Sequence, residues 1–397
     1  MTRWRPKFAL LPLVMATFLG IFALGCDRQE AGGDKKAGGT EAPAGDTIRV
    51  GQYGSMTGST ATFGQSTDQG VKLAVEEINA AGGINGKKIE LFTEDTRGQS
   101  QEAGTVVTKL ITDRKVVAVL GEVASSLSIA GGRVAQQYGV PMISPSSTNP
   151  DVTKIGDKIS RVCFIDPFQG YVGAKFVKEN LKLHKVAVLF DQSQAYSKGL
   201  KDDFLKAAKK MGLEVTSEQA YNEGDQDFSA QLTSIRESAP DAIYVPGYYT
   251  EVGNIAVQAR KLGITAPLVG GDGWESDKLA EIGGKAIDGC YYSSHYSHED
   301  PRPELQEFLK KFQAKYNAVP DSMAVLGYDA AALLFDAMKR SPSLKGDDLA
   351  KTIAETKGYK GVSGTITMDA DRNAQKPAVV LQMKDGKPVF VTNISPE

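Results

Sequence analysis

The chain has 397 residues, 41% hydrophobic and 24% charged, the balance of a globular protein long enough for two domains. Its 46 Lys and Arg against 48 Asp and Glu give a formal net charge of −2, with no basic stripe along the sequence. A nucleic-acid partner therefore has no electrostatic support.

Met1-Thr-Arg-Trp-Arg-Pro-Lys7 is cationic and leads into an apolar segment from Phe8 to Leu24, ending Ala23-Leu-Gly-Cys26. A cationic start, an apolar run and small residues at its end form the pattern of an export signal rather than a folded element. The alternative is an uncleaved anchor, but Pro12 and Gly20 interrupt a run already short for a membrane span. The placement of Cys26 after Gly25 resembles a bacterial lipoprotein processing site, with Ala and Leu in the reverse of the usual order. That resemblance implies a signal peptide over 1–25, lipidation of Cys26, and a periplasmic protein held at the membrane by its N-terminal lipid anchor. Asp27 in turn resembles an inner-membrane retention signal. Loss of the signal removes Arg3, Arg5 and Lys7 and leaves a more acidic body. Residues 26–46 are rich in Gly and Ala with almost no large apolar side chain, the composition of a flexible tether.

From Thr47 onward strand-like and helix-like segments alternate. Ile48-Arg-Val-Gly-Gln-Tyr53 reads as a strand, and Val71, Ala74, Val75 and Ile78 then recur at helical spacing before Gly82-Gly83. Lys88-Ile-Glu-Leu-Phe92 is the next strand, and Ala103, Val106, Val107, Leu110 and Ile111 mark the next helix. Val116 to Leu120 and Pro141 to Ser144 continue the series. After Ile159-Ser-Arg-Val-Cys-Phe-Ile165 the rhythm restarts, with strands at Lys185 to Phe190 and Ala242 to Val245 around a helical face of Leu200, Phe204, Ala207, Ala208 and Met211. Helical patterns follow over Pro303 to Tyr316 and Met323 to Met338. Ala378 to Met383 and Pro388 to Val391 then flank Asp385-Gly386, a hairpin signal. Short apolar strands separated by helices predict an α/β fold of two doubly wound lobes, each with a parallel sheet covered on both faces.

Motifs of catalysis and cofactor binding fail on spacing. Gly51-Gln-Tyr-Gly54-Ser-Met-Thr-Gly58 lacks the dinucleotide-binding arrangement, and Gly82-Gly-Ile-Asn-Gly86-Lys87 is too short for a phosphate loop and follows a helix. No Gly-x-Ser-x-Gly occurs to expose a hydrolase serine. His184 lies in a charged, surface-like stretch, and His295-Tyr-Ser-His298-Glu-Asp300 has only weak metal-like spacing. The expectation is no enzyme activity, no cofactor and no metal. Cys163 and Cys290 read as free and buried.

What remains is polar residues at strand ends, where open α/β sheets bind ligands. Ser55-Met-Thr57, Gly121 to Ser126 and Ser146-Ser147-Thr148 all fall there. Hydroxyls and helix amides in such places can cap the helix or hold a carboxylate without a Lys or Arg.

Thr57-Gly58, Phe63-Gly64, Ile78-Asn-Ala-Ala-Gly-Gly-Ile-Asn-Gly86, Ser125-Ser126, Ile143-Ser-Pro-Ser-Ser-Thr148, Gly247-Tyr248 and Gly270-Gly-Asp272-Gly resemble, in order and spacing, the periplasmic leucine/isoleucine/valine-binding proteins of ABC importers. The likeness runs from about Thr47 to the C-terminus. It implies two lobes joined by a three-segment hinge, 47–164 plus 292–376 and 165–291 plus 377–397, with ligand trapped between them. Crossings would fall near Cys163, Tyr291 and Lys376, which makes a disulfide between Cys163 and Cys290 an arrangement to check. The resemblance carries a ligand carboxylate to Ser125 and Thr148 and a ligand ammonium to the Ser146 carbonyl and to Asp272, where the family commonly has Glu. Phe63, Tyr196 and Tyr248 match aromatic positions lining the cleft. The implied protein is a monomer that passes a branched-chain or other aliphatic amino acid to a membrane permease, with no bond made or broken. Alternatives are a receptor for an amide, a urea-like compound or an aromatic acid, and a metal-dependent hydrolase that would have to use His295 and His298.

Overall fold

The computed structural model describes residues 47–396. The expected signal peptide, Cys26 and the tether up to residue 46 lie outside the described residues.

Strand β1 (Thr47–Gly54) runs from an alternating, half-buried start into fully buried backbone, as a central parallel strand should. It is followed by α1 (Ala61–Ala80), β2 (Lys88–Asp95), α2 (Ser100–Thr112), β3 (Ala118–Leu120), α3 (Ser125–Tyr138), β4 (Met142–Ser144) and β5 (Ile159–Arg161). The five strands pair in parallel in the order β2-β1-β3-β4-β5. The ends of β1, β3 and β4 therefore open on one edge, and the three hydroxyl-rich segments begin there.

Chain direction then changes sheet. Helix α4 (Asp166–Lys175) leads through one wide turn into β6 (Lys185–Asp191), α5 (Ala195–Lys210), β7 (Glu214–Tyr221), α6 (Ser229–Glu237), β8 (Ala242–Val245), α7 (Tyr249–Lys261), β9 (Leu268–Gly270), α8 (Asp277–Gly283) and β10 (Tyr291–Ser294). Helices α9 (Pro303–Tyr316), α10 (Ser322–Arg340) and α11 (Gly346–Ala354) and the small hairpin β11 (Tyr359–Gly361) and β12 (Gly364–Ile366) pack back on the first lobe, α10 against α1 and α11 against β5. The chain returns a last time as β13 (Ala378–Lys384) and β14 (Lys387–Ile394), giving the second sheet the order β14-β13-β10-β9-β8-β6-β7. Its first five members in sequence are parallel, and the terminal hairpin is antiparallel. The hairpin turns on Asp385 and Gly386, both at positive φ (51° and 74°), the conformation for which Asp-Gly is suited.

One boundary differs from expectation. The resemblance places residues 292–294 in the first lobe, yet Tyr291 to Ser294 pair with β13 on one side and Tyr291 and Tyr292 with β9 on the other. A strand held on both edges cannot leave its sheet, so the second crossing begins at His295.

Helix α1 joins the lobe backbone to backbone. A Cβ on Gly64 would lie 2.3 Å from the Ser55 carbonyl oxygen, and one on Gly70 1.9 Å from that of Ala324 in α10. This close approach seats Phe63, in the first turn of α1, at the sheet's carboxyl edge, where it is buried.

Candidate binding site between the lobes

The first-lobe wall is built from the segments after β3 and β4. The run Ser144-Pro-Ser-Ser-Thr148 divides its hydroxyls between two tasks. Ser144 and Ser147 turn inward and donate to the Glu122 carbonyl at 2.8 and 3.0 Å, and Ser147 also meets Val123 O at 2.8 Å and Ser128 Oγ at 2.7 Å. The buried Glu122 carboxyl accepts from Ser55 Oγ at 2.7 Å and from the Ala124 amide at 2.6 Å, while its burial pushes its pKa up. Ser55 is thus structural, and the exposed Thr57 donates to the half-buried Asp95 carboxylate at 2.7 Å. Ser146 and Thr148 face the other way. Both hydroxyls are buried, Ser146 with no partner and Thr148 with none at full hydrogen-bond geometry, although the Asp166 carboxyl lies close enough to feel the Thr148 hydroxyl, a costly state unless a partner arrives.

The second-lobe wall comes from three strand ends. Tyr196 stands in the first turn of α5, Tyr248 precedes α7, and Asp272 opens a single 3-10 turn after β9. The Asp272 amide donates to Gln169 Oε1 at 2.8 Å and the Gly273 amide to Tyr196 Oη at 3.1 Å, which fixes the turn against α4 and α5. Gly273 is required by contact: a Cβ there would lie 2.7 Å from Gly247 O and 2.9 Å from the Tyr196 ring. Tyr196 and Tyr248 stack with centroids 5.2 Å apart and planes 8° apart, and Phe63 of the first lobe meets Tyr248 edge-on at 5.5 Å. Burial raises the pKa of both tyrosines, which stay neutral phenols.

These walls flank about 200 Å³ of space free of protein atoms, part of it open to solvent, lined by Phe63, Val123, Ser146, Thr148, Tyr196, Tyr248, Asp272, Gly273 and Met323. Six sequence-predicted residues, Phe63, Ser146, Thr148, Tyr196, Tyr248 and Asp272, meet here. Ser125 does not line the cavity. Its hydroxyl accepts from the Asn149 amide at 3.3 Å and so supports the Thr148 loop from behind. Sequence reasoning missed Val123, Gly273 and Met323. Met323 sits in the first turn of α10, whose cap is Asp321, accepting from the Ala324 amide at 2.9 Å. That cap is a legible helix start, but nothing local says where it points.

The polar groups are complementary. Ser146 Oγ and Thr148 Oγ1 lie unpartnered on one wall, and Asp272 Oδ1 lies unpartnered on the other. Neutral donors facing a carboxylate across a small apolar-sided space suit a molecule that carries both charges.

The histidines separate. His184 and His298 are exposed, whereas His295 is buried with Nε2 2.9 Å from Asp272 Oδ2 and its ring stacked on Phe164. Its Nδ1 has no partner, so no hydroxyl stands where a base would activate it. Among the described residues no group of three His, Cys, Asp or Glu could hold a metal ion. Cys163 and Cys290 are free and buried. Burial pushes the Cys163 thiol up to about 12 and raises that of Cys290 as well.

Residues 47–388 match the family described as "Periplasmic binding protein". A Leu/Ile/Val-binding protein homolog 2 from Brucella abortus is 32% identical over 344 residues, covering 86% of this chain and 91% of the relative. A leucine binding protein, LivK, from Thermotoga maritima superposes with a TM-score of 0.85 at 38% identity, covering 88% of this chain and 99% of that one. The branched-chain amino acid transporter substrate binding protein LivJ from Streptococcus pneumoniae, solved with isoleucine, gives 0.84 at 36% identity, covering 88% and 100%. With the fold, the cleft between the sheets and these likenesses in agreement, this chain belongs to the periplasmic binding protein family.

Proposed function

We propose that this protein is the extracytoplasmic solute-binding component of an ABC importer, taking a branched-chain or other aliphatic amino acid into the cavity and delivering it to a membrane permease. The observation that carries the reading is the convergence of three unpartnered buried groups, Ser146 Oγ, Thr148 Oγ1 and Asp272 Oδ1, on one small cavity with aromatic and methionine walls. A zwitterion leaving water needs a partner for each charge, because an unpaired buried charge costs several kcal/mol. The two hydroxyls serve the carboxylate, Asp272 serves the ammonium, and Phe63, Val123, Tyr248 and Met323 surround the side chain. The binding of isoleucine by the pneumococcal relative supports this ligand class.

The lobes, 47–164 with 295–376 and 165–294 with 377–397, act as jaws. They meet through Ser126 Oγ, which donates to Gln194 at 2.9 Å and accepts from the Ala195 amide at 3.0 Å, through Thr250 to Ser59 O at 2.7 Å, and through Thr62 and Ser276 hydroxyls 3.0 Å apart. Release requires these bonds to part, so opening at the permease is the step that delivers cargo. In this reading Cys26 carries the lipid, residues 26–46 form the tether, and the protein works as a monomer.

A thermal-shift panel of α-amino acids, their amides, urea and aromatic acids tests the ligand class. Leucine, isoleucine or valine at about 100 times its dissociation constant should add roughly 2.7 kcal/mol of stability. Stabilisation by an amide or aromatic acid, with none by any α-amino acid, would sink the assignment.

A further inference from the structure

Asp272 and His295 lie 23 residues apart in sequence and meet side chain to side chain, Oδ2 to Nε2 at 2.9 Å. The His295 side chain is 0% exposed, and its ring stacks on Phe164 of the first crossing with centroids 4.0 Å apart and planes 24° apart. With Asp272 as the carboxylate, Nε2–H is the donor and Oδ2 is occupied. Oδ1 is then the free oxygen of Asp272, buried at the cavity and unpartnered. We propose that His295 is a positioning residue for ligand binding: it orients Asp272 with Oδ1 toward the ligand ammonium. The inference rests on the amino-acid reading of the cavity.

A protonated His295 would set a second cation against the same carboxylate, in competition with the ligand. Burial lowers the imidazole pKa from its ordinary 6.5, opposed by the bond and charge of Asp272 and assisted by Lys376. A bound ammonium acts in the same direction as Lys376, so binding in acid expels a proton and affinity falls as pH drops. Other groups interact with the Asp272 carboxylate: Cys163 at the first crossing, Asp166 at the start of α4, Tyr196 on α5 and Glu275 after the 3-10 turn, with Arg161 at the end of β5 acting on Cys163 and Asp166 behind them. Lys376 and Glu275 have values of about 8 and titrate in the accessible range, so the part due to His295 is the difference between profiles with and without the imidazole.

Leucine titration calorimetry from about pH 8 to about pH 5 is run on the protein, on H295Q, which can still donate to Oδ2 but cannot titrate, and on H295F, which keeps a stacked ring and loses the donor. At pH 8 H295F should bind about tenfold or more weakly, with H295Q recovering part of that loss. In acid the unaltered protein should lose up to about tenfold more affinity per pH unit than H295Q. Parallel pH profiles, or H295F binding within about twofold of the unaltered protein, would overturn the proposal. Titration of the unaltered protein in buffers of different ionisation enthalpy tests the same point without a variant: proton release on binding in acid supports it, and none overturns it. Failure of every α-amino acid to bind the unaltered protein at any pH would instead overturn the ligand reading, and this inference with it.

Discussion

The first-lobe wall meets the cavity with Ser146 and Thr148, neutral hydroxyls on the loop after β4, whereas the second-lobe wall meets it with the formal charge of Asp272 and the rings of Tyr196 and Tyr248. Their supports differ in the same way. Behind the hydroxyls lies a buried web of Ser144, Ser147, Ser128 and the Glu122 backbone, whose bonds fix loop geometry without placing a full charge on the cavity. Behind Asp272 stand single anchors, Gln169 on its amide and His295 on its carboxylate. In the proposed reading the first wall meets the ligand's charge with fixed dipoles and can be formed before ligand arrives. The second presents a carboxylate oxygen, Asp272 Oδ1, whose partner in the proposed reading comes only with the ligand, and that reading ties occupancy to closure.

Truncating the charged wall should have the largest effect. D272A leaves a bound ammonium without its buried partner, a loss of about 2–5 kcal/mol, or roughly 30-fold to several thousand-fold in leucine affinity. D272N, which keeps the shape, should fall between. Calorimetry reads the affinity and circular dichroism the fold; retained affinity in a folded D272A would remove Asp272 from the site. On the neutral wall, T148V keeps the volume and deletes one donor to the carboxylate. Hydrogen bonds to charged groups contribute about 1.5–3 kcal/mol, so affinity should fall about 10- to 100-fold. An equal loss for an amino acid and for its decarboxylated amine would show that Thr148 does not meet the carboxylate.

The same contrast explains what the sequence could and could not tell. Strands such as Val186 to Leu189 are buried on both faces, so apolar runs between helical patterns announce a parallel sheet. Strand β7, Glu214–Tyr221, is the sheet's edge, mostly half-buried or exposed, and its polar sequence carries no such run. Ser293 and Ser294 complete β10 although neither is apolar, so nothing in the local sequence marks where that strand ends. At the site, a hydroxyl-rich loop at a strand end was legible as a place. Which hydroxyls turn inward was not, because Ser144, Ser146 and Ser147 are the same chemistry with different backbone aim. His295 was hidden most fully. It sits among Ser, His, Glu and Asp, a composition typical of exposed loop, and only the return of the chain beside Phe164 and the turn at Asp272 removes it from water.

A third effect, on stability rather than affinity, concerns the seam between the walls and is read through pH. Glu275 follows the 3-10 turn of Asp272, and its Oε1 accepts from the Ser322 amide at 3.2 Å, a bond from the second lobe to the start of α10 in the first. Burial, with Asp321 adding negative charge nearby, pushes its pKa from 4.5 up to about 8. The folded protein therefore keeps a proton that the unfolded chain releases above about pH 4.5. Between those values folding binds the extra proton, so this group's contribution to stability declines as pH rises and levels off above about 8. Gln at this position retains the acceptor and the volume without the ionisation. Melting temperatures of E275Q and the unaltered protein should coincide near pH 4 and separate steadily up to about pH 8, the variant being the more stable. Curves that stay parallel over this range would mean that Glu275 is as ionised in the fold as in water, and that the seam is wetter than its burial implies.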